Sequence, residues 1–134
     1  MRIVKIWFDG DWLCGQDDNG TTYRQSLLWY KKLRKATDKE RENYTFGYDG
    51  IHWRELDEDV SFESFAYEDA APTKLQRFFL THPEINVSEF AKLIGINPSL
   101  LRNYINGFKI PSRERELMII DKIHNIGKEY MALV

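Results

Sequence analysis

The stretch Val87–Pro111, VSEFAKLIGINPSLLRNYINGFKIP, predicts two short helices joined by a tight turn. Ser88 is a candidate N-cap for the first helix, because its hydroxyl can accept a hydrogen bond from a backbone N–H of the first turn. Three apolar residues recur at the spacing that buries one helix face, namely Phe90, Ala91 and Ile94. Gly95 is expected to end this helix, because a residue without a Cβ readily adopts the left-handed conformation.

The second helix of the stretch has characteristic residues at both ends. Asn97 can cap it, and Pro98 can occupy its first position, where a missing N–H costs nothing. Asn106 and Gly107 are expected to close it. Its apolar stripe comprises Leu100, Leu101, Tyr104 and Ile105. Two short helices connected in this way have the geometry that lets the second lie in a DNA major groove.

This stretch resembles the helix-turn-helix of phage repressors, the Cro-like or XRE-type motif. The matching positions are Ala91, Gly95, Leu101, Ile105, Gly107 and Pro111. The resemblance implies that residues 71–134 form an all-α DNA-binding domain. A helical hairpin used only for packing or dimerisation would satisfy part of the same pattern, so that alternative stays open.

Alignment to the repressor motif divides the candidate DNA-binding residues into two groups. The group at the exposed side of the second helix comprises Asn97, Pro98, Ser99, Arg102 and Asn103. Arginine favours guanine, asparagine favours adenine, and serine can bond to a phosphate or to any base edge. The group placed to meet phosphates comprises Lys92, Lys109 and Arg113. Each of these charges could equally be ordinary protein surface.

The charge is distributed unevenly along the chain. The net charge is −2, but residues 73–134 carry nine Lys or Arg against six Asp or Glu, a balance of +3. Residues 1–72 carry ten against fifteen, a balance of −5. The positive half coincides with the helix-turn-helix pattern, as a DNA-facing domain requires. A balance of +3 is modest, so we expect a homodimer that doubles the phosphate contacts and binds a palindromic operator.

Composition places the chain among globular proteins of the cytoplasm. Of its 134 residues, 43% are hydrophobic and 30% charged, which argues against disorder. No apolar run has the ~18 residues of a membrane span, and the first residues lack the apolar centre of a signal peptide. The single cysteine, Cys14, excludes an internal disulfide and is expected to be a small core residue.

The first 70 residues predict an α+β domain that begins with an antiparallel meander. Three strands are expected, at Ile3–Phe8, Trp12–Gln16 and Thr21–Ser26. In the first strand, alternation should place Ile3 and Lys5 on one face, and Val4, Ile6 and Phe8 on the other. Leu27–Lys35 then has helical periodicity.

A second group of short elements is expected before the domain boundary. Thr37 and Glu40 form a capping box for the helix Asp38–Asn43. Asp49-Gly50 predicts the turn of a hairpin between Tyr44–Tyr48 and Ile51–Trp53. Ser61–Tyr67 is expected to be a helical turn that buries Phe62 and Phe65. Glu68–Pro72 lacks an apolar period and ends in proline, so the boundary is placed there, giving domains at 1–70 and 71–134.

The segment Asp49–Phe65, DGIHWRELDEDVSFESF, resembles the family known as domain of unknown function 2442. That family has a glycine turn followed by IHW, two residues and LDED, matched here by Gly50, Ile51, His52, Trp53, Leu56, Asp57, Glu58 and Asp59. Arg54 stands where the family often has proline. Some members carry a helix-turn-helix after this domain. The family's genes often lie beside a small partner protein, which implies toxin–antitoxin pairs.

Two polar clusters in this domain are candidate partner-binding sites. The first comprises His52, Asp57, Glu58 and Asp59, which could also bind a cation or exchange a proton. The alternative is structural: Trp53 packs inside, His52 faces outward or bonds to a carboxylate, and Asp57 or Asp59 caps a following turn. The second cluster contains Lys31 and Lys32, which either are a solvated helix face or contact an acidic partner.

No pattern of an enzyme appears in the sequence. Serine in a nucleophile-elbow context and glycine-rich phosphate loops are both absent, so we expect no catalysis, no cofactor and no metal. His82 is expected to cap the end of the helix Thr73–Thr81. His124 is expected to be partly buried in the last helix.

The closing helix, Arg113–Gly127, has a broad apolar face that could also contact a second subunit. Its apolar residues are Leu117, Met118, Ile119, Ile120, Ile123 and Ile126. Together these features predict a dimeric, repressor-like transcription regulator, with an N-terminal domain that holds a small toxin-like protein as antitoxins do. The alternative is an antitoxin-type interaction module that does not bind specific DNA.

Overall fold

A computed structural model describes residues 1–67 and 70–134. The chain forms two compact units, Met1–Pro72 and Thr73–Val134. The predicted boundary segment includes Glu68 and Asp69, which lie outside the described residues. The N-terminal unit is α+β, with two small antiparallel sheets and short helices.

The first sheet is the predicted meander. It contains β1 (Ile3–Asp9), β2 (Trp12–Asp17) and β3 (Thr22–Ser26) in the order β1-β2-β3. Cys14 lies on β2 opposite Trp7 of β1, and its thiol is buried as expected. Burial is the main reason why the pKa of this thiol is raised; the charge of Asp9 raises it further, and Arg24 acts in the opposite direction.

The predicted alternation of β1 is wrong at its start. The pairing with β2 shifts register between Ile3 and Lys5, so Ile3 and Ile6 are both buried while Val4 is 50% exposed. A bulge of this kind inserts one residue and reverses the faces on its far side. Strict alternation therefore assigned Val4 to the wrong face.

The predicted helix Leu27–Lys35 is interrupted. Leu27–Trp29 forms a 3₁₀ turn, and α1 (Lys31–Arg34) follows after Tyr30 leaves the helical region with φ −128° and ψ 76°. The next helix, α2 (Asp38–Glu42), begins at the predicted capping box. In it, the Glu40 amide donates to Thr37 Oγ1 at 3.2 Å, and the Thr37 amide donates to Glu40 Oε1 at 2.9 Å.

The second sheet contains β4 (Thr45–Phe46), β5 (Gly50–Trp53) and a strand the sequence pattern did not indicate, β6 (Glu58–Ser61). The hairpin β4–β5 exists, but Gly50 lies in β5 instead of the turn. Gly50 is required by packing, because a Cβ there would approach the Val60 carbonyl oxygen to 2.6 Å. After β6, a 3₁₀ turn at Glu63–Ala66 buries Phe65, as predicted.

The two sheets enclose the core of the N-terminal unit. Its buried residues are Ile3, Ile6, Leu13, Leu27, Leu33, Ile51, Trp53, Val60, Phe62 and Phe65. Among the buried polar side chains of this unit, Gln25 and Ser64 are hydrogen-bonded to each other. Gln25 donates to Ser64 Oγ at 2.9 Å and accepts from the Tyr30 hydroxyl at 2.8 Å.

The described part of the C-terminal unit contains α3 (Lys74–Thr81), α4 (Val87–Leu93), α5 (Pro98–Ile105) and α6 (Arg113–Met131). The predicted N-cap of α4 is wrong: Asn86 caps this helix by accepting from the Glu89 amide, and Ser88 lies inside the first turn. Among the described helices, none is long and apolar enough to cross a membrane.

The link from α4 to α5 follows the predicted turn chemistry. Gly95 has φ +69°, Asn97 caps α5, and Pro98 is its first residue. Asn106 and Gly107 close α5, with Gly107 at φ +82°.

Helices α3 to α6 bury one apolar cluster, but α6 presents only part of its predicted face to it. The buried residues are Phe79, Phe90, Ala91, Ile96, Leu101, Ile105 and Ile119. On α6, Ile119 is buried, whereas Leu117 and Met118 are exposed, so part of the broad apolar face lies outside this cluster. The prediction that His124 is partly buried is wrong, because His124 is exposed. The helix also continues to Met131, beyond the predicted end at Gly127.

Candidate functional site

The exposed surface of α4 and α5 is the first candidate site. Asn97 and Ser99 are exposed at the start of α5, and Arg102 is exposed one turn later. Arg102 donates from Nη2 to the Ser88 hydroxyl, which ties α5 to the first turn of α4. This contact joins two residues that the sequence pattern assigned to separate tasks, a cap and a base contact.

Two of the candidate DNA-binding residues, Asn97 and Asn103, also have structural tasks at the ends of α5. Asn97 caps α5 as predicted: its Oδ1 accepts the Ser99 amide at 2.8 Å, and its NH2 group stays available as a donor. Asn103 is partly buried, and its backbone carbonyl accepts the amides of Phe108 and Lys109 at 2.9 and 3.2 Å. These bonds fold the loop after α5 back onto the helix and hold the exposed Lys109 beside it.

The remaining predicted phosphate contacts are exposed cations in local ion pairs. Lys92 Nζ lies 3.3 Å from Glu89 Oε1, and Arg113 Nη1 lies 2.9 Å from Glu116 Oε1. Exposed pairs of this kind are worth ~0–1 kcal/mol, so a phosphate can replace either carboxylate at little cost. Both cations are therefore available to an anionic ligand.

A second candidate site in the C-terminal unit is an open apolar groove of about 570 Å³ between α3, α4 and α6. Its apolar lining includes Phe78, Ile85, Leu93, Ile123, Ile126 and Tyr130. Tyr130 is 77% exposed although it continues the face of α6 that buries Ile119. Helical spacing therefore extends an apolar stripe beyond the part of α6 that the core covers.

His82 lies at the rim of this groove. It occupies the C-cap position of α3, as predicted, but its ring stacks on Phe78 with centroids 4.7 Å apart. Its Nδ1 lies 2.6 Å from Glu84 Oε1, and this hydrogen bond is the main reason why the pKa of Glu84 is lowered.

The cluster around His52 lies on the second sheet. Trp53 is fully buried and donates its indole N–H to the Arg41 carbonyl at 2.9 Å, whereas His52 Nδ1 lies 2.6 Å from Asp59 Oδ1. The prediction of opposite faces, with His52 bonded to a carboxylate, is therefore confirmed. His52 and Asp59 are held together because they lie directly opposite each other in the antiparallel pairing of β5 with β6.

The predicted capping role of Asp57 and Asp59 is wrong. Asp57 lies in the turn between β5 and β6 with φ +51°, and β6 begins at Glu58. The LDED segment therefore forms a strand hairpin and not the start of a helix. An aspartate tolerates the left-handed conformation better than most residues, which explains its place in this turn.

The structure brings the two predicted partner-binding clusters together. Lys32 Nζ donates to the Asp57 carbonyl at 2.9 Å and lies 3.8 Å from its carboxylate. Lys31 is exposed on the same short helix. Only the folded chain shows this contact, since the two residues lie 25 positions apart.

Asp17, the last residue of β2, closes the turn between β2 and β3. Its Oδ1 accepts the amides of Asn19 and Thr21, each at 2.9 Å, and its Oδ2 accepts the Tyr23 hydroxyl at 3.0 Å. Burial raises the pKa of this carboxyl, but the three hydrogen bonds outweigh burial, so the pKa is lowered. An aspartate before Asp-Asn-Gly is the available signal for such a turn.

Within residues 1–67 and 70–134, no group of three His, Cys, Asp or Glu side chains could hold a metal ion.

Comparison with known proteins identifies the family of the N-terminal half. No curated protein and no protein of known structure matches the chain. Residues 3–71, about half of the chain, match the family model described as a protein of unknown function, DUF2442. The chain therefore belongs to the DUF2442 family.

Proposed function

We propose that this chain is a DNA-binding transcription regulator, a dimeric repressor that binds a palindromic operator. In this proposal α4, the turn at Gly95 and α5 form a repressor-type helix-turn-helix, and α5 enters the major groove. The observation that carries it is the exposed, polar outer side of a doubly capped α5, which bears Ser99 and Arg102. The N-terminal unit would hold a small protein partner, as in antitoxins that repress their own operons.

Base recognition is assigned to α5. Arg102 would bond to guanine O6 and N7, with Ser88 holding its guanidinium in place, and Asn103 would bond to adenine. Ser99 and the amide group of Asn97 lie at the end of α5 that enters the groove first in this motif. Pro98 offers no donor, so the proposal predicts a short recognition sequence in each half-site.

Phosphate binding is assigned to Lys92, Lys109 and Arg113, which are all exposed. The balance of +3 over residues 73–134 supports contact with a polyanion, whereas the balance of −5 over residues 1–72 does not. Because few cations are available per chain, a dimer is needed to reach the affinity of a repressor.

The groove between α3, α4 and α6 is the proposed dimer contact of the C-terminal unit. Its exposed apolar residues, among them Leu93 and Tyr130, would leave water when a second copy packs against them. Two recognition helices related by a two-fold axis then match a palindromic operator.

The experiment is binding to the DNA upstream of the chain's own gene, measured by fluorescence anisotropy against competitor DNA at several salt concentrations. Arg102→Ala and Asn103→Ala should each weaken specific binding by ~10- to 100-fold, because each removes a base contact. Lys128→Ala is the matched control, since Lys128 is exposed near the end of α6. It should change the binding by less than about threefold.

The result against the proposal would be equal affinity for operator and competitor DNA in low salt. Loss of binding in the Lys128 variant to the same extent as in the Arg102 variant would also count against it, because the binding would then depend on charge alone.

A second candidate function is a protein-interaction module without specific DNA binding. The observation that favours it is the loop after α5, where Phe108 and Ile110 are exposed, the latter by 94%. Large apolar side chains of this kind suit a protein partner better than a phosphate backbone. The product of the neighbouring gene, added to the purified chain, would distinguish the two functions if it binds while operator DNA does not.

The partner surface of the N-terminal unit is assigned to the hairpin β5–β6 and to α1. The proposed residues are His52, Asp57, Glu58, Asp59, Lys31 and Lys32. The proposal places the protein in the cytoplasm and assigns it no catalysis and no cofactor.

A further inference from the structure

The outer edge of β1 is open to another strand. β1 lies at one end of its sheet, and the pair Asp9–Trp12 flanks the two-residue turn Gly10-Asp11. Hydrogen-bonded and non-bonded pairs alternate in such a hairpin, so Trp7 bonds to β2 while Ile6 and Phe8 direct their backbone groups outward. Within residues 1–67 and 70–134, no other backbone group bonds to Ile6 or Phe8.

A groove of about 410 Å³ runs along this edge. It is lined by Ile6, Trp7 and Phe8 on β1, and by Asp38, Arg41, Glu42 and Tyr44. Successive side chains of a strand point to opposite faces, so three consecutive residues can line one groove only through the edge of the strand. The groove therefore reaches the outward backbone groups; α2 forms its other wall, where the Arg41 guanidinium lies 4.9 Å from the centre of the Phe8 ring.

The solvent face of β1 carries a self-complementary pattern. Lys5, Trp7 and Asp9 lie on this face, and all three are exposed, Trp7 by 37%. Lys5 Nζ lies 5.6 Å from the centre of the Trp7 ring, which places the two side chains side by side. In one direction the order is cation, aromatic ring, anion, and in the other direction it is anion, aromatic ring, cation.

We propose that β1 pairs antiparallel with β1 of a second copy of this chain, across a two-fold axis at Trp7. The outward groups of Ile6 would exchange two hydrogen bonds with those of Phe8 in the second copy. Trp7 would face Trp7 in a non-bonded pair, with Cα atoms ~4.5 Å apart. Lys5 would face Asp9 on both sides of the axis, and such opposite-charge pairs stabilise a ladder.

The charges of Lys5 and Asp9 and the register of β1 both favour a second copy of this chain as the strand that pairs with the edge of β1. The register shift between Ile3 and Lys5 confines the regular ladder to Lys5–Asp9, a segment centred on Trp7. This contact is separate from the groove proposed for the C-terminal unit, and it depends neither on that groove nor on DNA binding.

Disulfide cross-linking tests the two-fold axis in the full chain. Trp7→Cys would be made together with Cys14→Ala, because Cys14 lies directly opposite Trp7 within one chain. Mild oxidation should then yield covalent dimers, since the two new thiols would face each other. Val4→Cys with Cys14→Ala is the matched control: Val4 is exposed, but this register places it away from its own copy, so cross-linking should be at least ~tenfold slower.

Charge exchange tests the pairing. Lys5→Asp and Asp9→Lys should each lower the association constant by roughly tenfold, because each sets two like-charged pairs opposite each other. The double variant Lys5→Asp with Asp9→Lys restores opposite charges and should recover the association of the parent chain. Circular dichroism of each variant checks that the sheet is formed.

Hydrogen exchange gives a third readout that does not depend on a variant. The amides of Ile6 and Phe8 should become more protected as the concentration of the chain rises. Protection that is independent of concentration, equal cross-linking of the two cysteine variants, or a double variant no better than the single ones would each overturn the proposal.

Discussion

At the scale of single residues, Gly50 lies where the second sheet leaves no room for a side chain. A Cβ at Gly50 would clash with the Val60 carbonyl oxygen, which belongs to the ladder of β6 and cannot move freely. Gly127, by contrast, is a helical glycine of α6, and a Cβ at this position would meet nothing within 4 Å. The two glycines therefore allow opposite predictions for the same substitution.

Gly50→Ala should lower the free energy of unfolding by ~1–3 kcal/mol, because β5 and β6 must separate to admit the methyl group. Gly127→Ala should raise it by ~0.5–1 kcal/mol, because alanine loses less entropy in a helix. Urea unfolding followed by circular dichroism measures both changes. A neutral effect of Gly50→Ala would show that the strands yield more easily than their pairing indicates.

Asp17 makes the stability of the N-terminal unit depend on acid pH. Its pKa is lowered in the folded state, so its stabilising contribution is present above the ordinary pKa of an aspartate and is lost as pH falls through the lower folded value. The urea midpoint should therefore decrease on going from pH 5 to pH 3, and Asp17→Asn should reduce that decrease. Asp18→Asn in the neighbouring exposed position is the control; an equal effect there would contradict the prediction.

At the scale of elements, the start of α4 depends on Asn86. Asn86→Ala should destabilise the chain by ~1 kcal/mol, because the Glu89 amide loses its acceptor. Ser88→Ala should cost less stability, since Ser88 accepts from Arg102 and caps nothing. Thermal unfolding of both variants measures the difference. A larger loss of stability in the Ser88 variant than in the Asn86 variant would show that Ser88 is the cap.

Elements defined by local chemistry could be predicted from the sequence. The capping box at Thr37, the turn at Gly95 and the cap at Asn97 all depend on residues within four positions of one another, and all three are present. Alignment to the repressor motif placed Arg102 and Asn103 on the exposed side of α5; Arg102 is exposed, but Asn103 is partly buried, so the outward position predicted for Asn103 is only partly met.

Elements defined by contacts between residues far apart in the chain could not be predicted from the sequence. β6 exists because Glu58–Ser61 pairs with β5, and its acidic residues have low intrinsic preference for a strand. The bulge in β1 and the approach of Val60 to Gly50 likewise arise from pairing between strands. At the candidate sites, the contacts of Lys32 with Asp57 and of Arg102 with Ser88 are tertiary and left no periodic pattern in the sequence.

At the scale of the whole molecule, the exposed end of α6 predicts the oligomeric state of the C-terminal unit. Tyr130→Glu should lower the mass measured by light scattering at micromolar concentration, because it places a charge in the groove between α3, α4 and α6. Leu117→Glu is the matched control, since Leu117 is exposed on another side of α6 and does not line that groove. Equal effects of both substitutions would exclude the groove as the contact.

The position of Cys14 has a consequence for how the motions of the first sheet can be followed. The thiol is buried on the face of the sheet that also bears Trp7 and Arg24, the residues directly opposite Cys14 on β1 and β3, and its raised pKa leaves little of the reactive thiolate at neutral pH. A thiol reagent can therefore modify it only while the neighbouring side chains move aside or the strands separate locally. The labelling rate of this native cysteine, compared with that of a free thiol, measures how often the structure around Cys14 opens locally. The measurement needs no substitution in the chain.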